Sequence, residues 1–334
     1  MNIALIIPTG IGCEIGGHAG DANPVAKLIG ECCDKLITHP NVVNSSDINE
    51  MPHNTLYVEG SILDRFLNNE IYLSEVYRNK ILLAVNKPVT SDTINSVNAA
   101  RLTIGAEIKI VELDTPLIMT GYYDKDNKAT GTISGWKELC NQVEDYNFDA
   151  LAIQSAITVD VKTKHKYLTG TGGVNPWGGI EAITSKLIAS ELNKPVAHSP
   201  FDDRDSQQNY LLEFDEIVDP RMAAEMVSVS YLHCILKGLH KAPRISLLKG
   251  IRVNDIDFLI TPINCVGEPH KACMKAGIPI IAVKENKNVC NDEMPNSFII
   301  VDNYIEAAGV IMSYKAGIDY KSVRRPLKVN PFIN

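Results

Sequence analysis

The stretch TPINCVGEPHKACMKAGIPIIAVKEN, Thr261–Asn286, decides the fold class. An apolar run at Phe258–Ile260 leads into it and reads as a buried strand. Gly267 permits a tight turn, and Glu268, Pro269 and His270 fall in the first turn of a helix. A second apolar strand follows at Ile278–Val283. Strand, turn, helix and strand in this order form the βαβ unit of a parallel sheet. The turn carries Asn264, Cys265, Gly267, Glu268 and His270, more polar groups than a connector needs, so it is expected to line a site.

The same rhythm extends outward. Ile3–Ile7, Thr55–Val58, Lys80–Val85 and Lys109–Leu113 read as strands. Helices are expected over Pro24–Cys33, after a Ser61 cap, and over Ser91–Ile104, the last with Thr90 or Ser91 as N-cap and Gly105 as its stop. The polar stretch 114–135, with its DKDN turn, reads as a hairpin or an excursion over the sheet. A helix over Trp136–Tyr146 and a strand over Ala150–Ile153 restore the alternation. One long helix is expected over Asp219–Leu239, capped by Asp219 with Pro220 behind it. The expected fold is therefore α/β, with a mostly parallel, doubly wound sheet. It forms either two Rossmann-like lobes, 1–113 and 136–334 flanking the 114–135 excursion, or one large domain.

Composition narrows the function. The 334 residues are 45% hydrophobic and 22% charged, with a net charge of −8 and no basic run, which argues against a nucleic-acid partner. No apolar run reaches the roughly 18 residues that span a bilayer, so no membrane partner is expected. The N-terminus MNIALIIPTG reads as a first strand rather than a signal peptide. Eight cysteines without a CxxC pair read as reduced thiols, and with the missing signal they point to a cytoplasmic location. Scattered histidines give a metal no local support, and the cofactor stays unknown. A homodimer is the base-rate expectation for oligomeric state.

Three glycine-rich turns carry the candidate site. The first, PTGIGCEIGGHAGDANP (Pro8–Pro24), holds Gly10, Gly12, Gly16 and Gly17 with His18 and Asp21. It matches neither GxGxxG nor the phosphate loop ending in GK[ST]. The second, TGTGGVNPWGGIEA (Thr169–Ala182), holds Gly172, Gly173, Asn175, Trp177 and Glu181. The third is the opening stretch. Each is expected to follow a strand, and ligands of open α/β sheets gather at the carboxyl ends of strands, so the three should converge on one cleft. An anion is expected on backbone N–H groups of the first or third turn, with a helix dipole behind it. Strand ends add Glu59 as a base, Lys87 as an anion ligand, and His198. His39 reads as structural. Cys265 near a helix start is a candidate nucleophile, but Glu268 and His270 beside it are favoured for acid–base work.

PTGIGCEIGGHAGD, ITHPNVVN, LYVEG, TGGVNPWGGIEA, NKPVAHSP and TPINCVGEPHKA together resemble the family catalogued as domain of unknown function 3326. The likeness runs over nearly the whole chain and implies no activity. The third turn with its helix and strand is also similar to the nucleotide-sugar end of two-lobed glycosyltransferases and sugar-nucleotide 2-epimerases. It departs from them in placing Cys265, Pro269 and His270 in the turn. The expected function is a small-molecule metabolic enzyme that binds an anionic or phosphorylated ligand at the glycine turns and uses Glu and His acid–base chemistry. A sugar-nucleotide epimerase or transferase, a non-catalytic ligand-binding protein and a metal-dependent hydrolase are the alternatives.

Overall fold

The computed structural model describes residues 1–44, 50–169, 173–201, 217–228, 230–327 and 329. In chain order the strands are β1 (Asn2–Leu5), β2 (Lys35–Thr38), β3 (Thr55–Tyr57), β4 (Tyr72–Ser74) and β5 (Lys80–Asn86). They continue as β6 (Glu107–Leu113), β7 (Ile118–Tyr123), β8 (Ala129–Ser134), β9 (Ala150–Ser155) and β10 (Ile157–Val159). The last are β11 (Val196–Pro200), β12 (Arg244–Ser246), β13 (Phe258–Pro262), β14 (Ile280–Val283) and β15 (Ile299–Val301). Two parallel sheets dominate, so the fold is α/β. One has six strands in the order β15-β14-β13-β1-β2-β3, the other four in the order β11-β9-β5-β6.

Strand patterning explains the layering. In β1 and its continuation, Ile3, Leu5 and Ile7 pack into one hydrophobic core while Ala4 and Ile6 pack into another. Side chains alternate across a strand, so this sheet is covered on both faces. All six residues of β9 are buried, as a central parallel strand requires. The 114–135 segment is the expected hairpin: β7 and β8 pair antiparallel, and Asp124 Oδ1 accepts from the Asp126 and Lys128 N–H groups in the turn, each at 2.9 Å.

The helix Ser91–Ile104 has its expected ends. Thr90 Oγ1 accepts from Thr93 N at 3.1 Å, and Gly105 closes it at φ +64°. Other expectations are corrected. Glu59, not Ser61, caps the helix Gly60–Leu67. Asp219 does accept from Arg221 N at 2.9 Å, yet the long helix is broken. It becomes a 3-10 turn at Pro220–Met222, a short helix at Ala223–Met226 and a separate helix at Leu232–His240. β-branched Val227 and the serines Ser228 and Ser230 are poor helix formers at that break. The second glycine turn follows a helix, Val161–Thr169, instead of a strand. The sheets also do not divide the chain at 114–135. Strands from both ends build the six-stranded sheet, and residues 80–200 supply the four-stranded one.

Candidate functional site

The order β15-β14-β13-β1-β2-β3 reverses between β13 and β1. At such a reversal the two connections diverge and leave a crevice at the carboxyl ends of the strands. The first turn leaves β1 and the third leaves β13, so both open into it. A cavity of about 1030 Å³ lies there. Gly17 and His18 line it from the first turn, Asn175, Trp177 and Glu181 from the second, and Cys265, Gly267 and His270 from the third. His39 beyond β2, Glu59 beyond β3 and His198 on β11 join them. Residues of all three turns thus line one cavity, although the second turn reaches it from a helix and not from a strand.

Two acid–histidine groups face this space. In the first, His198 Nδ1 lies 3.1 Å from Glu181 Oε1, and its Nε2 lies 2.9 Å from Ser155 Oγ. Glu181 sits in the first turn of the helix Gly178–Leu192, and β9 pairs beside β11 to bring Ser155 to His198. The order of exposure matters. The Glu181 side chain is 27% exposed and that of His198 is 0%. Ser155 is buried at the end of β9. A nucleophilic serine must meet substrate, and here the carboxylate meets the cavity while the hydroxyl lies behind the imidazole. The arrangement holds Glu181 in place rather than activating Ser155.

The second group centres on Glu225. Its Oε2 accepts from Tyr167 Oη at 3.1 Å and Ala19 N at 3.3 Å, and its Oε1 from Asn175 Nδ2 at 3.2 Å. Burial pushes its pKa up to about 6, and the charge of Glu181 adds to the rise. His18 Nδ1 lies 2.5 Å from the same Tyr167 oxygen. With Tyr167 donating to Glu225, His18 Nδ1 is the donor to Tyr167, which makes His18 the Nδ1–H tautomer. Burial lowers the His18 pKa to about 4. Trp177 packs edge-on to Tyr167 at 5.5 Å and walls the group.

Glu59 is a buried carboxylate of the same lining. Its Oε2 accepts from Ser61 N at 2.9 Å, from Ile62 N at 3.2 Å and from the Ser61 hydroxyl. Burial raises its pKa against these bonds, and nearby Asp64 is pushed up to about 6, also by burial. Its cap role accounts for its place, so the expectation of a general base at Glu59 gives way to a structural one.

In each glycine turn the protein's own side chains take some of the backbone N–H groups. In the first turn Gly16 N donates to Asp21 Oδ1 at 2.7 Å and Ile15 N to Asn286 Oδ1 at 2.9 Å. In the third, Val266 N donates to Asp292 Oδ2 at 2.9 Å and Gly267 N to His270 Nδ1 at 3.0 Å. In the second, Asn175 Oδ1 accepts from Trp177 N and Gly178 N. The glycines serve close packing: a Cβ on Gly17 would lie 2.2 Å from the Cys13 carbonyl oxygen. Gly267 is not forced either. Its φ is −129° in extended backbone, and Asn264, at φ +57°, makes the turn.

Several candidates leave the site. Glu268 is 60% exposed and pairs with Lys271 at 2.7 Å, outside the cavity lining. Lys87 pairs with Asp114 at 2.6 Å, also outside it. Gly10, Gly12, Gly16, Gly173, Asn264 and Asp21 do not line the cavity, and Gly172 lies outside the described residues. His270 lines it but has both nitrogens engaged. Nδ1 accepts from Gly267 N, and Nε2 lies 2.8 Å from Thr261 Oγ1. Burial lowers its pKa to about 4, so it stays neutral as a clamp between β13 and the helix Glu268–Ala276. His39 is neutral in the same way, accepting from Ile7 N at 3.1 Å. Cys265 is buried and its thiol is pushed up to about 12, which opposes a thiolate nucleophile.

Sequence reasoning missed Glu225, Tyr167, Ser155 and three lysines of the lining, Lys128, Lys164 and Lys186. None sits in a glycine turn. Only Ser155, at the end of a strand, carried the same signal as His198.

The family model described as a protein of unknown function, DUF3326, matches residues 2–324. The chain belongs to this family. A Synechococcus protein described as an uncharacterized lipoprotein is 34% identical over 96% of this chain and 92% of its own length. No solved structure matches the chain. Among the described residues, no helix is long and apolar enough to cross a membrane, and no cluster of three or more His, Cys, Asp or Glu is placed to hold a metal ion.

Proposed function

We propose that this DUF3326 protein is an acid–base enzyme acting on a small anionic molecule held in the 1030 Å³ cavity. The observation that carries the reading is the placement of two carboxylates in one cavity lining, Glu225 held by Tyr167 and Asn175 and Glu181 held by His198. A carboxyl with a pKa near 6 exchanges protons readily at neutral pH. Glu181, oriented by His198 and Ser155, is its counterpart. One carboxylate takes a proton from the bound molecule and the other, protonated, returns one at a different atom. The substrate neither gains nor loses a proton overall, as in an isomerisation, and the two carboxyls regain their starting states by proton exchange with water between turnovers. The ligand's negative charge is met by Lys128, Lys164 and Lys186 of the lining.

A thermal-shift screen of anionic metabolites supplies candidate ligands, since a ligand at a hundred times its Kd stabilises by about 2.7 kcal/mol. Each hit is then incubated in D₂O and followed by NMR. Glu225→Gln and Glu181→Gln are expected to slow deuterium uptake or turnover by about 10²–10⁴-fold while the hit still binds. Tight binding with no exchange or turnover in the wild type would leave a non-catalytic binding protein. For location we propose the cytoplasm, supported by eight free buried cysteines. The lipoprotein description of the Synechococcus relative points instead to a membrane anchor, and cell fractionation separates the two.

A further inference from the structure

We infer that the cavity's ligand is an amphiphilic anion, with one acidic head group on an extended apolar body. The inference deepens the reading above and rests on it for the location of the site. Size is the first argument. At about 1030 Å³ the cavity is at the top of the range that encloses drug-sized ligands, roughly 300–1,000 Å³, so a compact metabolite would leave most of it to water. The wall is the second argument. Ile6, Ile157, Leu168, Trp177, Phe201 and Ile235 line it from six separate segments, so apolar surface surrounds the space instead of forming one patch.

Charge is the third argument. Lys128, Lys164 and Lys186 line the cavity, and none makes an ion pair within 4.0 Å or a side-chain hydrogen bond among the described residues, although the charge of Lys186 acts on Glu59 and Asp64. Along the helix Val161–Thr169, Val161, Lys164, His165 and Leu168 all line it. Their spacing puts them on one helix face, so apolar and cationic groups stand side by side. Val161 is 63% exposed, an apolar residue held open to solvent on that face. A polyphosphate head is disfavoured twice. Asp21, Asp292 and His270 take the N–H groups of Gly16, Val266 and Gly267, and Glu59, Asp64, Glu181, Glu225 and Asp292 share the cavity, which repels a head group of several charges more than one of a single charge.

Isothermal titration calorimetry of the full chain with sodium octanoate, 1-octanol, sodium acetate and ATP tests this. Each buried methylene tightens binding about fourfold, so octanoate should bind at least about a hundredfold tighter than acetate, with a negative heat-capacity change. The triple variant Lys128→Gln, Lys164→Gln, Lys186→Gln should weaken octanoate about tenfold and leave octanol within about twofold. Val161→Ser, at an exposed position that does not threaten folding, should weaken octanoate and octanol together. Cooperative thermal melting confirms that each variant is folded. Octanoate within about threefold of acetate, ATP binding tighter than octanoate, or equal losses for octanoate and octanol in the lysine variant would each overturn the inference. Binding is read without turnover. Octanoate bound normally by a wild type that shows no proton transfer would therefore remove the acid–base reading and leave the ligand class intact.

Discussion

Cys265 shows how position and chemistry can part. It stands just before a helix start, where thiols tend to ionise, yet it is buried and its sulfur faces the Pro262 carbonyl at 3.5 Å. Desolvation outweighs the helix end and pushes the thiol up to about 12. Native protein at pH 8 should therefore be alkylated by iodoacetamide at Cys265 at least about tenfold more slowly than free cysteine, read by peptide mass spectrometry. Rapid labelling there, blocked by a cavity ligand, would restore the nucleophile. Asp21 makes a second residue-scale prediction. Its Oδ2 is buried without a hydrogen-bond partner among the described residues, and burial raises its pKa from 3.8 to about 7. The folded protein then holds a proton that the unfolded chain has released between those values. Its contribution is fully present below pH 3.8 and is lost as pH rises through 7. Asp21→Asn keeps a neutral group, so its melting temperature relative to wild type should climb steadily from pH 5 to pH 8. A difference that does not change with pH would show that Asp21 is charged in the fold. His18 and His39, lowered to about 4, act in the opposite sense below pH 6.5, which is why the difference is the quantity to read.

At the scale of elements, the hairpin β7–β8 and the helix Gly178–Leu192 define one wall of the site through glycine contacts. A Cβ on Gly179 would lie 2.1 Å from the Ala129 carbonyl oxygen, so the helix can approach β8 this closely only without a side chain. Ala129 N in turn donates to the Gly10 carbonyl at 2.8 Å, which ties the hairpin to the first turn. Gly179→Ala should force hairpin and helix apart and cost about 1–3 kcal/mol, the usual penalty of overpacking, measured by denaturant unfolding. Because Glu181 is on the same helix turn, ligand affinity should fall as well. A variant as stable as wild type would mean the hairpin shifts freely. The third turn is built by another kind of contact. His270 ties Gly267 to Thr261 and stacks on Phe298 at 6.1 Å, so the histidine that reads as a catalyst works as a joint.

At the scale of the whole molecule, the cavity exists because the carboxyl ends of two sheets meet. His39, Glu59 and the first and third turns come from the six-stranded sheet, while His198 and Ala156 come from the four-stranded one. Chain order hides this, since β1 pairs with β13, from Ile3 opposite Phe258 to Leu5 opposite Ile260. A fragment of residues 1–113 would lose that partner of β1 and also β9, the neighbour of β5. It should show no cooperative thermal transition by circular dichroism, despite holding six strands. A cooperative melt would establish 1–113 as a unit that folds by itself.

The strands around the first and third turns and the ends of the helix Ser91–Ile104 were legible in the residues, because they depend on local periodicity and caps. Thr90 and Gly105 bound their helix through groups within three or four residues, and a local pattern is enough for that. His198 was expected at a strand end, and the structure places it inside β11, two residues before its end. The pairing of β1 with β13, the Glu225–Tyr167–His18 group and the place of Ser155 behind His198 were decided by tertiary structure alone, since they join residues 43 to 255 positions apart. The same distant contacts turned expected ligand groups inward. Asp292 and Asn286 reach the third and first turns from elsewhere in the chain and take the N–H groups of Val266 and Ile15. A buried donor must be satisfied by whatever packs against it, and sequence distance places no limit on which residue that is.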